Sequence, residues 1–271
     1  MNLLVLLSIF LITGFFTGIF AGMLGIGGGL IFVPILYLLL PFTPIDKAQI
    51  SYIVIGTSLF SAAITSISSA ANHFLRNNVD NRKAFYIAFG SIISSVISSF
   101  LVINLTQFIL QVIFAIVFVL IAAKMLLEGK KEKAGKVGVY KTLHEYYGIL
   151  FGLGVGIFAA FTGLGGGILF VPILSYLLGV EFKKAIGTSS FIISITGIAA
   201  SIAYAFHRPM GIIAPFQIGY IYLIAGFPLS LGAVFGAYFG VNIVLGSQTK
   251  SIKKIFSILL IAAVIKILLT F

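Results

Sequence analysis

Long apolar runs separated by short polar gaps fill the chain. Leu3 to Leu40 is apolar but interrupted by glycines, and Gln49–Ala71, Ala84–Ile103 and Phe108–Leu127 follow at ordinary helical lengths. Glu128 to Tyr146 (EGKKEKAGKVGVYKTLHEY) is the one clearly polar stretch. After it Tyr147–Leu178 is again glycine-broken, and Ala185–Phe206, Ile212–Val241 and Ile255–Phe271 complete the series. A bilayer core about 30 Å thick takes about 20 apolar residues per helix, so these runs predict membrane-spanning helices. No segment alternates apolar and polar residues with the regularity of a β-barrel strand. The fold class expected is all-α integral membrane, with roughly 8–10 membrane helical segments.

The pattern repeats. Gly14–Leu40 aligns without gaps on Gly152–Leu178, with 16 of 27 positions identical. A second anchor, Gly56-Thr57-Ser58, matches Gly187-Thr188-Ser189, and the first half carries seven more residues between the anchors. The predicted organisation is therefore a first transmembrane repeat over 1–128, a basic linker over 129–146 and a second repeat over 147–271. The opening MNLLVLLSIFLITGFF has no basic leader and runs straight into the repeat, so it reads as mature structure.

Composition agrees. Of 271 residues 60% are apolar and only 8% charged, with a mean hydropathy of +1.21. Soluble domains carry about 25% charged residues. This chain cannot clothe a surface of its size in water, which excludes a soluble enzyme. With no cysteine, disulfides and thiolate metal sites are excluded as well. The net charge of +11 points to cytoplasmic loops rather than nucleic acid. If each glycine-broken element is a re-entrant or full hairpin, the halves are inverted. One face then collects Arg76, Arg82, Lys83, Lys124, Lys130, Lys131, Lys133, Lys136, Lys141, Lys183, Lys184, Lys250, Lys253 and Lys254, and the other only Lys47, Arg208 and Lys266. That split of 14 to 3 predicts inverted-topology repeats with the linker in the cytoplasm of a cell-membrane protein.

GIGGG and GLGGG at matching positions within apolar runs call for a reason. Non-helical backbone at membrane depth survives only where it is packed in protein or lines a cavity. Glycines permit positive φ and close backbone approach, and Val33-Pro34 and Val171-Pro172 lie where a short helix restarts. The N-terminus of such a half-helix carries free N–H groups and partial positive charge, and therefore suits an anion. Broken helices at equivalent places in two halves are the sequence pointer to a transporter's binding site. The candidate substrate-binding residues are Gly27, Gly28, Gly29, Thr57, Ser58, Gly165, Gly166, Gly167, Thr188 and Ser189. The amides would bind the anion and the hydroxyls donate to it. Gly14, Gly18 and Gly22, with Gly152 and Gly156, have small-xxx-small spacing and read as helix-packing positions. Ser66, Ser68, Ser69 and Asn72 read as polar glue between helices.

Other chemistry is missing. All six acids (Asp46, Asp80, Glu128, Glu132, Glu145, Glu181) fall in loops or at span ends. There is then no buried carboxylate to hold a coupling cation or relay protons. His73, His144 and His207 fall at loop edges without metal-ligand spacing and read as surface histidines, while Tyr204, Tyr220, Tyr222 and Tyr238 read as interface anchors. No catalytic constellation, metal site or cofactor is expected.

With these residues in view, the chain resembles the TauE/SafE family of sulfite-exporter-like anion permeases. The likeness rests on Gly18-xxx-Gly22-xx-Gly25-x-Gly27-Gly28-Gly29 with Val33-Pro34, and on Gly156 and Gly163-x-Gly165-Gly166-Gly167 with Val171-Pro172. The Gly-Thr-Ser pairs and Gly219-Tyr220 add to it. Gly22 is matched by Ala160, a departure that touches packing. The resemblance implies transport of a small sulfur-containing or organic oxyanion, such as sulfite or a sulfonate. The partners expected are that anion and the lipid bilayer, with no nucleic acid, and a homo-oligomer is compatible. Alternating access is the expected mechanism, with an anion channel or a non-transporting membrane scaffold as the alternatives. A monoanion leaving an inside-negative cell gains about 2.3 kcal/mol per 100 mV, which favours export without a coupling ion.

Overall fold

A computed structural model describes residues 3–128, 143–209 and 213–243. The predicted last span, Ile255–Phe271, and most of the predicted linker lie outside the described residues. Within them the chain is helical almost throughout: α1 (Leu3–Leu24), α2 (Gly29–Leu39), α3 (Ile50–Phe74), α4 (Asn81–Val102), α5 (Gln107–Glu128), α6 (Tyr147–Thr162), α7 (Gly167–Pro172), α8 (Phe182–Phe206) and α9 (Leu223–Ile243). Among the described residues five stretches are long and apolar enough to cross a membrane: Leu3–Leu24, Lys47–Phe74, Asn81–Val102, Phe182–Phe206 and Leu223–Asn242. Shorter apolar helices accompany them. The molecule is an all-α, multi-pass integral membrane protein.

Local chemistry sets the ends. The Asp80 side chain accepts from the Lys83 amide and caps α4, and Asp46 does the same for the Ala48 amide in the turn that precedes α3. α7 passes into a π-helical turn at Ile173–Leu177, directly after Pro172. One predicted helix is shorter than its apolar run. Residues 213–222 form a small hairpin in which Gln217–Ile218 pairs antiparallel with Ile221–Tyr222. Pro215 lacks an amide proton and Gly219 takes φ +53°, so this end of the run cannot continue as helix.

α3 and α8 cross at the centre, with α9 and α4 packed on either side of the pair. The outer helices then cross over between halves: α1 packs on α9, and α6 on α4. Exposure follows this order. In α3, rich in hydroxyls, 78% of the membrane window is buried, against 28% in α1, whose Leu4, Ile12 and Phe16 face outward.

Both outer seams are built on glycine. A Cβ at Gly14, Gly18 or Gly22 would stand 2.3, 2.1 or 2.5 Å from the carbonyl oxygens of Leu229, Ala233 and Ala237. Gly232, Gly236 and Gly240 return the contact against Leu11, Phe15 and Ile19. On the other seam Gly152 meets Ile87, Gly156 meets Ser91, and Gly90 meets Ile149. Lipid tails are as apolar as leucine, so helices in a bilayer adhere through close backbone approach of this kind.

Candidate functional site

The two glycine turns adopt the same backbone. Gly25, Gly27 and Gly28 have φ of +66°, +71° and +84°, and Gly163, Gly165 and Gly166 have +67°, +70° and +78°. Gly28 and Gly166 are the N-cap residues of α2 and α7, and neither helix start receives a side-chain cap. The first amides of each helix therefore depend on the backbone alone. Ile31 and Phe32 reach back to the Gly28 carbonyl, and Leu169 and Phe170 to that of Gly166. Buried aromatic rings lie against the turns, Phe32 on Gly28 and Phe170 on Gly166.

The turns also meet. A Cβ on Gly29 would lie 2.7 Å from the backbone of Leu164, and one on Gly167 would lie 2.5 Å from the Cα of Ile26. Each turn thus presses backbone to backbone on the other. The side chain of Ile193, fully buried, is wedged between them and would touch a Cβ at Gly27, Gly165 or Gly167 at 2.8, 3.2 and 2.7 Å.

Hydroxyls from the central helices tie the turns in place. Ser58 Oγ donates to the Gly163 carbonyl at 2.8 Å, and Ser189 Oγ donates to the Gly25 carbonyl at 2.7 Å. Each serine belongs to one half and each carbonyl to the other. Thr57 Oγ1 accepts from the Tyr222 amide at 3.0 Å, and Thr188 Oγ1 accepts from the Asp80 amide at 2.8 Å while donating to the Lys184 carbonyl. So the threonines hold the residue that leads into α9 or α4, and the serines hold the turns. All ten candidate residues are buried. The serine protons, expected on a ligand, rest on carbonyls in this conformation.

Ser66 adds a residue that the sequence reading placed among inter-helix glue. It is fully buried on α3, its Oγ has no hydrogen-bond partner, and it lies 2.9 Å from where a Gly27 Cβ would stand. A buried hydroxyl left unpaired costs about 1–3 kcal/mol. Nothing in a run of serines distinguishes one member from its neighbours, so no sequence signal separates Ser66 from Ser68 or Ser69.

Several expectations change. His73 and His207 are buried, at 2% and 7% exposure, rather than at the surface. His73 Nε2 faces the Gly22 carbonyl at 3.3 Å, and the last turn of α3 is covered by the start of α8 at Gly187. Tyr204, Tyr220 and Tyr222 are buried too, Tyr204 donating to the Ala160 carbonyl at 2.9 Å. Only Tyr238 of that group is exposed. His73 and Tyr204 meet interior backbone carbonyls because α3 and α8 lie within the bundle, while Tyr220 and Tyr222 are buried as part of the hairpin. No cluster of His, Asp and Glu able to hold a metal occurs among the described residues. A polar cavity of 460 Å³ lies away from the turns, at the start of α4, lined by Arg82, Lys83, Tyr86, His144 and Glu145.

A helical bundle of membrane-spanning length, with two broken helices meeting inside it, places the chain among polytopic membrane proteins. Comparison with known proteins gives the family: residues 10–267 match the family model described as "Sulfite exporter TauE/SafE", and the chain belongs to that family. It is similar to a probable membrane transporter protein of Haemophilus influenzae, 29% identical over 96% of this chain and 97% of that one. The probable membrane transporter protein YunE of Bacillus subtilis is 29% identical, over 93% of this chain and 94% of its own. A probable membrane transporter of Methanocaldococcus jannaschii is likewise 29% identical, over 89% and 87%. No solved structure matches the chain. By family and relatives it is a membrane transporter of the TauE/SafE type, a family of transporters rather than enzymes.

Proposed function

We propose that the protein carries a small sulfur-containing or organic oxyanion, such as sulfite or a sulfonate, across the cell membrane by alternating access. The binding site in this reading is the meeting point of the two glycine turns. The observation that carries it is the pairing of the turns, whose left-handed glycines leave the first amides of α2 and α7 without side-chain caps in the bundle's interior. Uncapped amides at a helix start favour negative charge, and buried away from water their pull is less screened. Gly27, Gly28 and Gly29 with Gly165, Gly166 and Gly167 would supply these donors. Ser58 and Ser189 would hold the turns when empty, Thr57 and Thr188 the starts of α9 and α4, and all four would turn their hydroxyls to the anion when it enters.

The same contacts relate the two halves by exchange, and the inverted arrangement itself rests on the distribution of basic residues. Ser58 to Gly163 and Ser189 to Gly25 are one contact made twice with the halves exchanged. So are Gly14 on Leu229 and Gly152 on Ile87. Rocking of one half against the other would break and remake these pairs while exposing the turns to alternate sides. The linker would then lie in the cytoplasm, the side that the positive-inside rule favours for its lysines.

The test is flux in proteoliposomes holding the purified chain, with radiolabelled sulfite, sulfoacetate and other small oxyanions, with and without an imposed voltage. Saturable flux with counterflow is expected for at least one oxyanion. Unsaturable flux without counterflow would make the protein a channel, and no flux of any anion by folded protein would remove the reading.

A further inference from the structure

The pseudo-equivalent halves differ at the centre, and the difference has chemical content. Aligning Gly56-Thr57-Ser58 with Gly187-Thr188-Ser189 places Ser66 opposite Gly197 and Ala62 opposite Ile193. One half offers a hydroxyl where the other offers nothing, and one half offers a bulky side chain where the other offers a methyl group.

Around the turns, the neighbouring hydroxyls are engaged. Ser58 and Ser189 donate to turn carbonyls, Ser61 to the Gly226 carbonyl, Thr65 to the Ser61 carbonyl, and Ser69 pairs with Ser190. Ser66 is different. A helical serine can bond back to a carbonyl three or four residues earlier, as Thr65 and Ser201 do. Ser66 does not, and its Oγ, wholly buried and without a partner, is directed at the Gly27 turn beside the Ile193 side chain. α2 behind that turn is an 11-residue helix, whereas α7 has six residues before its π turn, so the helix dipole is better developed on the Ser66 side.

Taking the turns as the oxyanion site proposed above, we infer that Ser66 is a further side-chain donor of that site, the one whose hydroxyl is already without a partner. The anion then binds on the first half, between the Ser66 hydroxyl and the amides that open α2, and is not shared evenly by the two turns. Ile193 occupies the space between the turns and leaves it when the anion enters. Donors on two separate elements suit a ligand with two or more acceptor oxygens, which is the chemistry of sulfite, sulfonates and carboxylates. Each monomer holds one such anion.

The experiment compares the full chain with Ser66→Ala, Ser66→Gly (which copies Gly197 of the other half) and Ser68→Ala, whose hydroxyl instead donates to the Val234 carbonyl. Each is reconstituted for sulfite flux and heated with and without sulfite. Losing a hydrogen bond to a charged ligand should raise the KM of Ser66→Ala and Ser66→Gly about tenfold or more. Both should lose most of the thermal shift that sulfite gives the wild type, and Ser68→Ala should keep it. Without sulfite, Ser66→Ala should melt no lower than wild type, because its hydroxyl has no partner to lose. Unchanged KM and sulfite shift in both Ser66 variants would overturn the assignment while leaving the transport reading intact. A wild type that neither moves nor binds any oxyanion would overturn that reading, and this assignment with it.

Discussion

At the scale of single residues, the turns depend on backbone that only glycine adopts cheaply. Gly28 and Gly166 combine positive φ with an aromatic ring against the missing Cβ, Phe32 at 2.7 Å and Phe170 at 2.9 Å. An alanine there takes on a left-handed conformation costing about 1–2 kcal/mol and must also push the ring aside. Gly28→Ala and Gly166→Ala should each lower the melting temperature and abolish most oxyanion flux. Gly154 is the control: inside α6 with open space around its Cβ position, it should become slightly more stable as alanine, by up to about 1 kcal/mol, with flux unchanged. The glycine triplets and Gly-Thr-Ser pairs were legible because duplication singled them out. Ser66 and Ile193 were not, since each stands opposite a different residue in the other half and so leaves no repeat to notice. The directions of the Ser58 and Ser189 hydroxyls were equally hidden, because a bond across 105 or 164 residues is created by folding.

At the scale of elements, helix positions followed closely from apolar runs, because a bilayer demands continuous internal hydrogen bonding over a fixed thickness. The exception was the run Ile212–Val241, where apolar composition concealed the hairpin at 217–222 despite Pro215 and Gly219 in the sequence. The small-residue spacings in α1 and α6 were correctly read as packing surfaces, but their partners, α9 and α4, came from the structure. Those seams admit no extra atoms. Gly18→Leu sets a side chain 2.1 Å from the Ala233 carbonyl and Gly152→Leu the same distance from that of Ile87. Both variants should fail to give monodisperse protein on size-exclusion chromatography after detergent extraction. Wild-type elution and melting for either would show that the seam can open at little cost.

At the scale of the whole molecule, the two halves interlock: α9 of the second half packs on α3 of the first, and α4 of the first packs on α8 of the second. Neither half could form this packing alone. Orientation in the membrane is testable without background labelling because the chain has no cysteine. Pro44 and Glu181 are both exposed and mark comparable points after the first and second broken elements. If the halves are inverted, an impermeant maleimide should label Pro44→Cys in intact cells and Glu181→Cys only after permeabilisation. Labelling both from the same side would make the halves parallel. The sequence by itself determined that this is a helical membrane protein with a duplicated, glycine-broken motif and no acid in mid-span. Composition and spacing suffice for that, since the bilayer penalises every unpaired backbone group and every isolated charge in the same way wherever it falls. The tertiary structure alone decided that the two turns press on each other and that Ser66 is left without a partner. Those are relations between residues far apart in the chain, set by which helices approach closely enough to exclude a side chain, and no local pattern encodes them.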